Sequence, residues 1–129
     1  MTTEARPPTA LGLLDMLQTT TEDMTASVAF YRDTLGAHVE VESPAWSQVR
    51  LGGLSIGIHG PGAGYEGWLP AFRVGDLAAV RAALEAAGGT VEAPHDIPGG
   101  VTMRFTDRDG HHLAVTEYGT SVAPLDTSR

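Results

Sequence analysis

Apolar and polar positions follow the same order twice along the chain, first in residues 13–59 and again in residues 69–118. Each half opens with a short alternating segment and continues through an amphipathic segment preceded by an aspartate. It then ends in short apolar runs around a glycine-containing turn. An internal duplication of this length predicts one domain built from two similar modules with a cleft between them.

The two amphipathic segments predict two helices. In the first, Asp23 is the expected N-cap, Gly36 ends the helix, and apolar residues recur at helical spacing. This stripe comprises Met24, Val28, Tyr31 and Leu35. In the second helix Asp76 is the expected N-cap. Its stripe comprises Leu77, Val80 and Leu84. Both stripes are expected to pack on a sheet.

Alternating or short apolar runs predict eight strands, so each half reads βαβββ and the fold class is α+β. The expected bounds are 13–19, 37–42, 46–51, 54–59, 69–74, 89–92, 100–106 and 111–118. The glycine-rich segment 60–67 is expected to link module 1 (13–59) to module 2 (68–118) within a single domain, 13–118. Residues 1–12 and 119–129 lack periodicity, and flexible tails are expected there.

Composition narrows the classes of function. The 129 residues include no cysteine, which excludes disulfides, thiolate catalysis and cysteine metal sites. A formal net charge of −8 would repel a phosphate backbone, so nucleic-acid binding is not expected. The first residues lack the apolar run of a signal peptide or a membrane span. A cytoplasmic, soluble protein with no membrane partner is therefore expected.

Two motifs carry a resemblance to a known family. The segment SVAFYRDTLGA (residues 27–37) and the turn DRDGH (residues 107–111) resemble the vicinal oxygen chelate superfamily, which includes glyoxalase I, extradiol dioxygenases and the fosfomycin and bleomycin resistance proteins. The resemblance implies two tandem βαβββ modules forming a curved mixed sheet around a shared cavity, with helices on the outer face. It also implies a homodimer, because many relatives build or complete their cavities between two chains.

Metal-dependent members of this superfamily carry His, Glu or Gln at fixed points on the first and last strands of each module. By resemblance, the corresponding residues in this sequence are Met16, Gly57, Leu69 and Ala114. None of them offers the oxygen or nitrogen donor that a catalytic divalent ion requires, and a thioether suits soft metals such as Cu(I). No metal ion or other cofactor is therefore expected.

Alternation along each strand extends these four positions to a predicted ligand-binding face. It comprises Met16, Gln18, Trp46, Arg50, Gly57, His59, Leu69, Arg73, Arg104, His112 and Ala114. The opposite faces read Leu54, Ile56 and Ile58, then Phe72 and Val74, then Leu113 and Val115, as expected beneath two helices. Arg73 and Arg104 would hold an anionic or planar group, or would pair with an acidic side chain of the chain itself. Trp46 would offer a flat surface to a ligand or would pack in the core.

Three functions remain open on this basis. The leading hypothesis is a metal-free protein that binds a small organic molecule, for sequestration or carriage. The alternative is a lyase, isomerase or dioxygenase of the same superfamily, with His59 or His112 as general base or with an unrecognised metal site. The positions that align with metal ligands in the superfamily, here called ligand points, include Gly57 and Ala114. His59 and His112 are displaced from these two points by about 7 Å each in opposite directions along the strands, so they are not expected to share an ion. The third hypothesis is a protein-interaction module with a degenerate cavity.

Overall fold

The computed structural model describes residues 12–121 and groups them in two compact units. The first unit comprises residues 15–70, and the second comprises residues 12–14 and 71–121. The tails expected at 1–12 and 119–129 lie outside the described residues, apart from residue 12 and residues 119–121. Both described ends are hydrogen-bonded, because Gly12 N donates to Arg73 O (3.0 Å) and Gly119 N donates to Gly99 O (2.8 Å).

The first unit is a four-stranded sheet with one helical segment. Its elements are β1 (Leu14–Thr20), α1 (Met24–Ala29), a π-helical turn (Phe30–Thr34), β2 (His38–Val41), β3 (Trp46–Leu51) and β4 (Leu54–His59). The strand order is β2-β3-β4-β1. The β1–β4 pair is parallel, and the other two pairs are antiparallel.

The second unit repeats this arrangement. Its elements are β5 (Leu69–Arg73), whose first two residues belong to the first unit, α2 (Leu77–Ala86), β6 (His95–Ile97), β7 (Gly100–Thr106) and β8 (His112–Tyr118). The strand order is β5-β8-β7-β6, and again only the pair of first and last strands, β5–β8, is parallel. The predicted α+β class with two βαβββ modules is confirmed.

Each helix packs on one face of its own sheet. In the first unit, Val28 of α1 is fully buried in a core cluster with Val49, Ile56 and Ile58. In the second unit, Val80 of α2 is buried in the equivalent cluster. That cluster also contains Val74, Leu77, Val101, Met103, Phe105 and Val115. The predicted assignment of strand faces is therefore correct in both units, and the alternate positions face away from the helices.

The two helix caps are formed as predicted. Asp23 Oδ1 accepts a hydrogen bond from Ala26 N at 3.1 Å, and Asp76 Oδ1 accepts one from Ala79 N at 3.0 Å. Each carboxylate thereby satisfies one of the amide groups that a helix start leaves without a partner.

The buried stripe predicted for the first helix is wrong at Leu35, which is 43% exposed. The cause is the π-helical turn, in which Leu35 N donates to Phe30 O at 3.2 Å. Bonds spaced i to i+5 hold more residues per turn than an α-helix, so residues beyond Ala29 rotate off the stripe. Tyr31 stays partly buried against the core cluster.

The strand predicted at 89–92 is wrong in its bounds, because the sixth strand is His95–Ile97. Val91 forms only an isolated bridge with Phe105. From that bridge to the pairing of His95 with Thr102, this segment uses four residues where β7 uses three. Pro94 lies in the interval and has no amide hydrogen to donate, so the edge strand is interrupted there.

Candidate functional site

The face of the first unit that points away from α1 gathers five of the eleven predicted ligand-binding residues. It is formed by alternate positions of β1, β3 and β4, and its side chains are partly exposed except at buried Gly57. We call it the aromatic face. It comprises Met16, Gln18, Trp46, Gln48, Ser55, Gly57 and His59.

Gly57 lies beneath the indole ring of Trp46. A Cβ atom placed on Gly57 would lie 2.1 Å from Trp46 Cη2, 2.7 Å from Cζ2 and 3.0 Å from the sulfur of Met16. Trp46 reaches this position from β3, where its own partner in the register is His59. Only glycine leaves room for the indole here, so the indole occupies the space into which any side chain at position 57 would project.

His59 continues the aromatic row that Trp46 begins. Its ring centroid lies 4.7 Å from the Trp46 ring at an interplanar angle of 66°. On the other side it lies 5.6 Å from the Tyr65 ring at 86°. Both are edge-to-face arrangements, which aromatic quadrupoles favour. Tyr65 is itself held by its hydroxyl, which donates to Thr19 O at 3.4 Å.

A side-chain amide fixes the orientation of His59. The Nε2 atom lies 3.3 Å from Gln18 Oε1. An amide oxygen accepts a hydrogen bond, so the tautomer that forms this bond carries a proton on Nε2. His59 is thus oriented by Gln18 and flanked by two aromatic rings.

The far end of the aromatic face is polar. Gln48 Nε2 donates to Ser55 Oγ at 3.0 Å and to Glu40 Oε1 at 3.5 Å. Arg50 is not presented as a free cation, because its Nε lies 3.4 Å from Glu40 Oε2. Gln48 and Ser55 therefore supply amide and hydroxyl groups beside the indole.

In the second unit the two predicted arginines contact partners within that unit. Arg104 pairs with Glu92 (Nη2 to Oε1, 3.1 Å), and its side chain is only 21% exposed. The sequence left open a pairing of this arginine with an acidic residue, and that pairing is present. The guanidinium of Arg73 lies 4.8 Å from the centroid of the Tyr118 ring, a cation–π contact.

The remaining predicted site residues lie on β5 and β8. Leu69 is fully buried, and Ala114 is buried and pairs in the register with Arg104 and with Ala71. His112 begins β8 opposite Thr106 and is partly exposed.

The structure thus brings together Met16, Gln18, Trp46, Gly57 and His59 in the first unit. Sequence reasoning placed Tyr65 in the linker and did not connect it with His59. A lone tyrosine in a glycine-rich segment was the sole signal for that contact.

Comparisons with known proteins place the chain in a family. A family model described as the Glyoxalase/Bleomycin resistance protein/Dioxygenase superfamily matches residues 13–115. The chain belongs to this superfamily. A search of curated protein sequences gives no significant match.

Solved structures with the same fold share little sequence with this superfamily member. One is an NAD-dependent benzaldehyde dehydrogenase from Legionella pneumophila (17% identity, 80% of this chain and 97% of that chain, TM-score 0.67). Another is a glyoxalase/bleomycin resistance protein/dioxygenase superfamily member from Vibrio splendidus 12B01 (18%, 80% and 96%, TM-score 0.60). A third is methylmalonyl-CoA epimerase from Mycobacterium tuberculosis (18%, 82% and 87%, TM-score 0.61). At these identities the likeness shows the fold alone.

The residues of the first unit do not fit the divalent metal ion that the superfamily implies. Gly57 has no donor atom, and the indole of Trp46 fills the space beside it. Met16, the other residue at a ligand point there, contributes a thioether, which is a poor ligand for hard or borderline divalent ions. In the second unit Ala114 likewise offers no donor.

One exposed cluster places potential metal ligands close together among residues 12–121. Donor atoms of Asp107, Asp109 and His111 lie within 4.8 Å of one another. The Asp107 carboxylate, however, accepts hydrogen bonds from the amides of His111 and Asp109, both at 2.9 Å, and so forms the turn before β8. These bonds, the His111 amide first, lower the pKa of Asp107.

Helices long and apolar enough to cross a membrane are not found among residues 12–121.

Proposed function

We propose that this superfamily member binds a small organic molecule on the aromatic face of the first unit, without a divalent metal ion at the superfamily's ligand points. Sequestration or carriage is the corresponding activity. The observation that carries the proposal is the pair Trp46 and Gly57, in which an indole takes the place of a side chain at a ligand point.

The chemistry of the face supports a ligand with a flat apolar part and polar substituents. Trp46 and Met16 offer polarisable apolar surface, while Gln18, Gln48 and Ser55 offer donors and acceptors beside it. Binding sites for small molecules have this composition, an apolar surface with a few orienting polar groups. All five side chains are partly exposed, so part of each is available for contact.

Tryptophan fluorescence tests the proposal directly. The titrations use a Trp68→Phe variant, in which the emission reports Trp46 alone. Trp68 is 51% exposed. A panel of planar organic molecules is then titrated, and at least one is expected to change this emission saturably. A Trp46→Leu variant, followed by calorimetry, should bind that molecule about tenfold more weakly, which corresponds to about 1.4 kcal/mol.

The outcome that contradicts the proposal is equally direct. If the Trp46→Leu variant bound every ligand found as tightly as the protein that retains Trp46, the aromatic face would not be the binding site. Matched binding to the Trp68→Phe variant and the natural sequence is the control, because Trp68 lies outside the aromatic face.

A second candidate function is a lyase, isomerase or dioxygenase reaction in which His59 is a general base. The hydrogen bond between Nε2 and Gln18 favours it, because this bond orients the ring. If turnover of a substrate is found, His59→Asn should abolish it, and Gln18→Leu should lower kcat and shift the pH profile. Turnover that is unaffected by His59→Asn would eliminate this candidate.

A further inference from the structure

The first unit contains a second feature of ligand-binding size, an open cleft of about 460 Å³. Its walls are residues 20–22, which follow β1, and residues 60–66, which follow β4. Cavities of about 300–1,000 Å³ are typical of small-molecule sites. We call it the linker cleft.

All charge on the lining of the linker cleft is negative. Glu22 and Glu66 are its charged residues, and among residues 12–121 no arginine, lysine or histidine lines it. Neither carboxylate has a hydrogen bond or ion pair within residues 12–121, and both are exposed to solvent. Since an ionised carboxylate is acceptor-only, a ligand that contacts Glu22 or Glu66 must bring donors or positive charge.

Tyr65 supplies the aromatic wall of the linker cleft. The same ring lies 5.6 Å from His59, which lies 4.7 Å from Trp46. Tyr65, which lines the linker cleft, therefore contacts the aromatic face through the ring of His59. The ring of an aromatic side chain beside carboxylates, as Tyr65 is here, can attract an organic cation by a cation–π interaction.

An adjoining cleft of about 500 Å³ extends the same character. It shares Glu22 and Pro61 with the linker cleft and is also lined by Glu42 and Asp23. The carboxylate of Asp23 caps α1 and so has a structural role. Across residues 15–70 there are seven acidic residues and two arginines, a net charge of −5, which attracts cations to this unit.

We infer that the linker cleft binds the ammonium or guanidinium group of an organic cation, between Glu22 and Glu66. The apolar body of this ligand lies against Tyr65, in the direction of the aromatic face. The inference rests on the proposed function, to which it adds the charge class of the ligand and the residues that select it.

A pair of probes of the same shape tests the charge requirement. 2-Phenylethylammonium and 2-phenylethanol differ in one polar group, positively charged in the first and neutral in the second. Calorimetric titration at low salt is expected to show the ammonium binding about tenfold more tightly, a difference of about 1.4 kcal/mol. Raising the ionic strength to 0.5 M should remove most of this difference, because exposed charges are screened.

Variants locate the effect in the linker cleft. Glu66→Gln and Glu22→Gln are each expected to weaken the ammonium about threefold, with the double variant abolishing the preference over the alcohol. Glu42→Gln is the matched control, because Glu42 lines only the adjoining cleft. Tyr65→Leu should weaken both probes, the ammonium more.

The outcomes separate this inference from the proposed function. Equal affinity for ammonium and alcohol, absence of ammonium binding, or an equal loss in Glu42→Gln would overturn the inference. A neutral planar molecule that changes Trp46 emission equally in Trp68→Phe and in Trp68→Phe carrying both Glu22→Gln and Glu66→Gln would support the proposed function while refuting a cationic ligand. Silence of Trp46 towards neutral and charged molecules alike would overturn both.

Discussion

A methyl group added at Gly57 has a consequence that depends on Trp46. In Gly57→Ala the new Cβ would stand 2.1 Å from Trp46 Cη2 and 3.0 Å from the sulfur of Met16. The indole must therefore leave its position. The φ angle of Gly57 is not positive, so alanine can adopt this backbone conformation without strain.

The magnitude follows from the cost of overpacking. Inserting one carbon into an occupied space typically destabilises by about 1–3 kcal/mol, and the rigid indole places this position within that range. In a Trp46→Ala background the obstruction is removed, and the thioether of Met16 can adjust because it is unbranched. Replacing glycine by alanine in a compatible conformation then stabilises by about 0.4–1 kcal/mol through the unfolded chain. Gly57→Ala should thus lower the free energy of unfolding when Trp46 is present and raise it when Trp46 is replaced by alanine.

Urea unfolding followed by circular dichroism measures this double-mutant cycle. Four proteins are compared: the natural sequence, Gly57→Ala, Trp46→Ala and the double variant. The coupling free energy between the two positions is the cost of about 1–3 kcal/mol with the indole plus the gain of about 0.4–1 kcal/mol without it, so about 1.4–4 kcal/mol is expected. Gly53→Ala is the matched control, because no heavy atom of the described residues lies within 4 Å of its added Cβ and its φ is not positive.

Two results would refute this reasoning. The first is a Gly57→Ala protein as stable as Gly53→Ala. The second is an equal cost of Gly57→Ala with and without the indole, since the destabilisation would then have no connection with Trp46.

Three further predictions concern the caps, the acid response and the assembly. Asp23→Ala and Asp76→Ala should each lower the free energy of unfolding by about 1 kcal/mol, measured by urea unfolding, whereas the corresponding asparagine variants should lose less because asparagine also caps. The pKa of Asp107 is lowered in the folded chain. Its ionised form therefore contributes stability at a pH above the ordinary pKa of 3.8, and this contribution is lost as the pH falls through the lower pKa of the folded chain. Asp107→Asn should therefore lower Tm at neutral pH, with the difference from the natural sequence vanishing in strong acid; a difference that grew on acidification would contradict this. Light scattering should give twice the chain mass of 13.5 kDa, as a homodimer requires, and a mass of one chain would exclude it.

The fold could be predicted from the sequence because its signals are local and occur twice. Each helix is marked by a capping aspartate and an apolar stripe, and each sheet face is marked by alternation. Ile56 and Ile58 identified the helix-facing side of β4, and the structure confirms this assignment. The register of one strand then fixed that of its neighbours.

The arrangement of the site could not be predicted to the same depth. In the sequence, Gly57 shows only that a metal-ligating side chain is missing. In the structure, the space beside it is filled by the ring of Trp46, which lies diagonal to it on the neighbouring strand. Diagonal contacts of this kind depend on side-chain rotamers, which alternation does not specify. The contact of Tyr65 with His59 depends on the path of a glycine-rich segment, which has no periodicity to indicate it.

One wrong assignment and one pairing that the sequence left open have equally physical causes. Leu35 was assigned to a buried stripe because a helix of constant period was assumed, and the π-helical turn breaks that period. The ion pair of Arg104 with Glu92 forms because the segment containing Glu92 runs along β7, where Glu92 N also donates to Arg104 O at 2.9 Å. The sequence pattern showed a strand near this segment but not which residues it would place beside Arg104.

The metal content of the purified chain tests most directly the claim that the aromatic face binds without a divalent ion. Protein purified without chelators and equilibrated separately with Ni, Zn, Mn and Fe is dialysed and analysed by mass spectrometry for metal per chain. An Asp107→Asn variant is measured in parallel, to account for ions held by the exposed turn. The structure of Gly57, Met16 and Trp46 predicts that this variant retains far less than one ion per chain. Retention of one ion per chain by Asp107→Asn, together with a change in Trp46 emission when the same variant in the Trp68→Phe background is loaded, would contradict the claim.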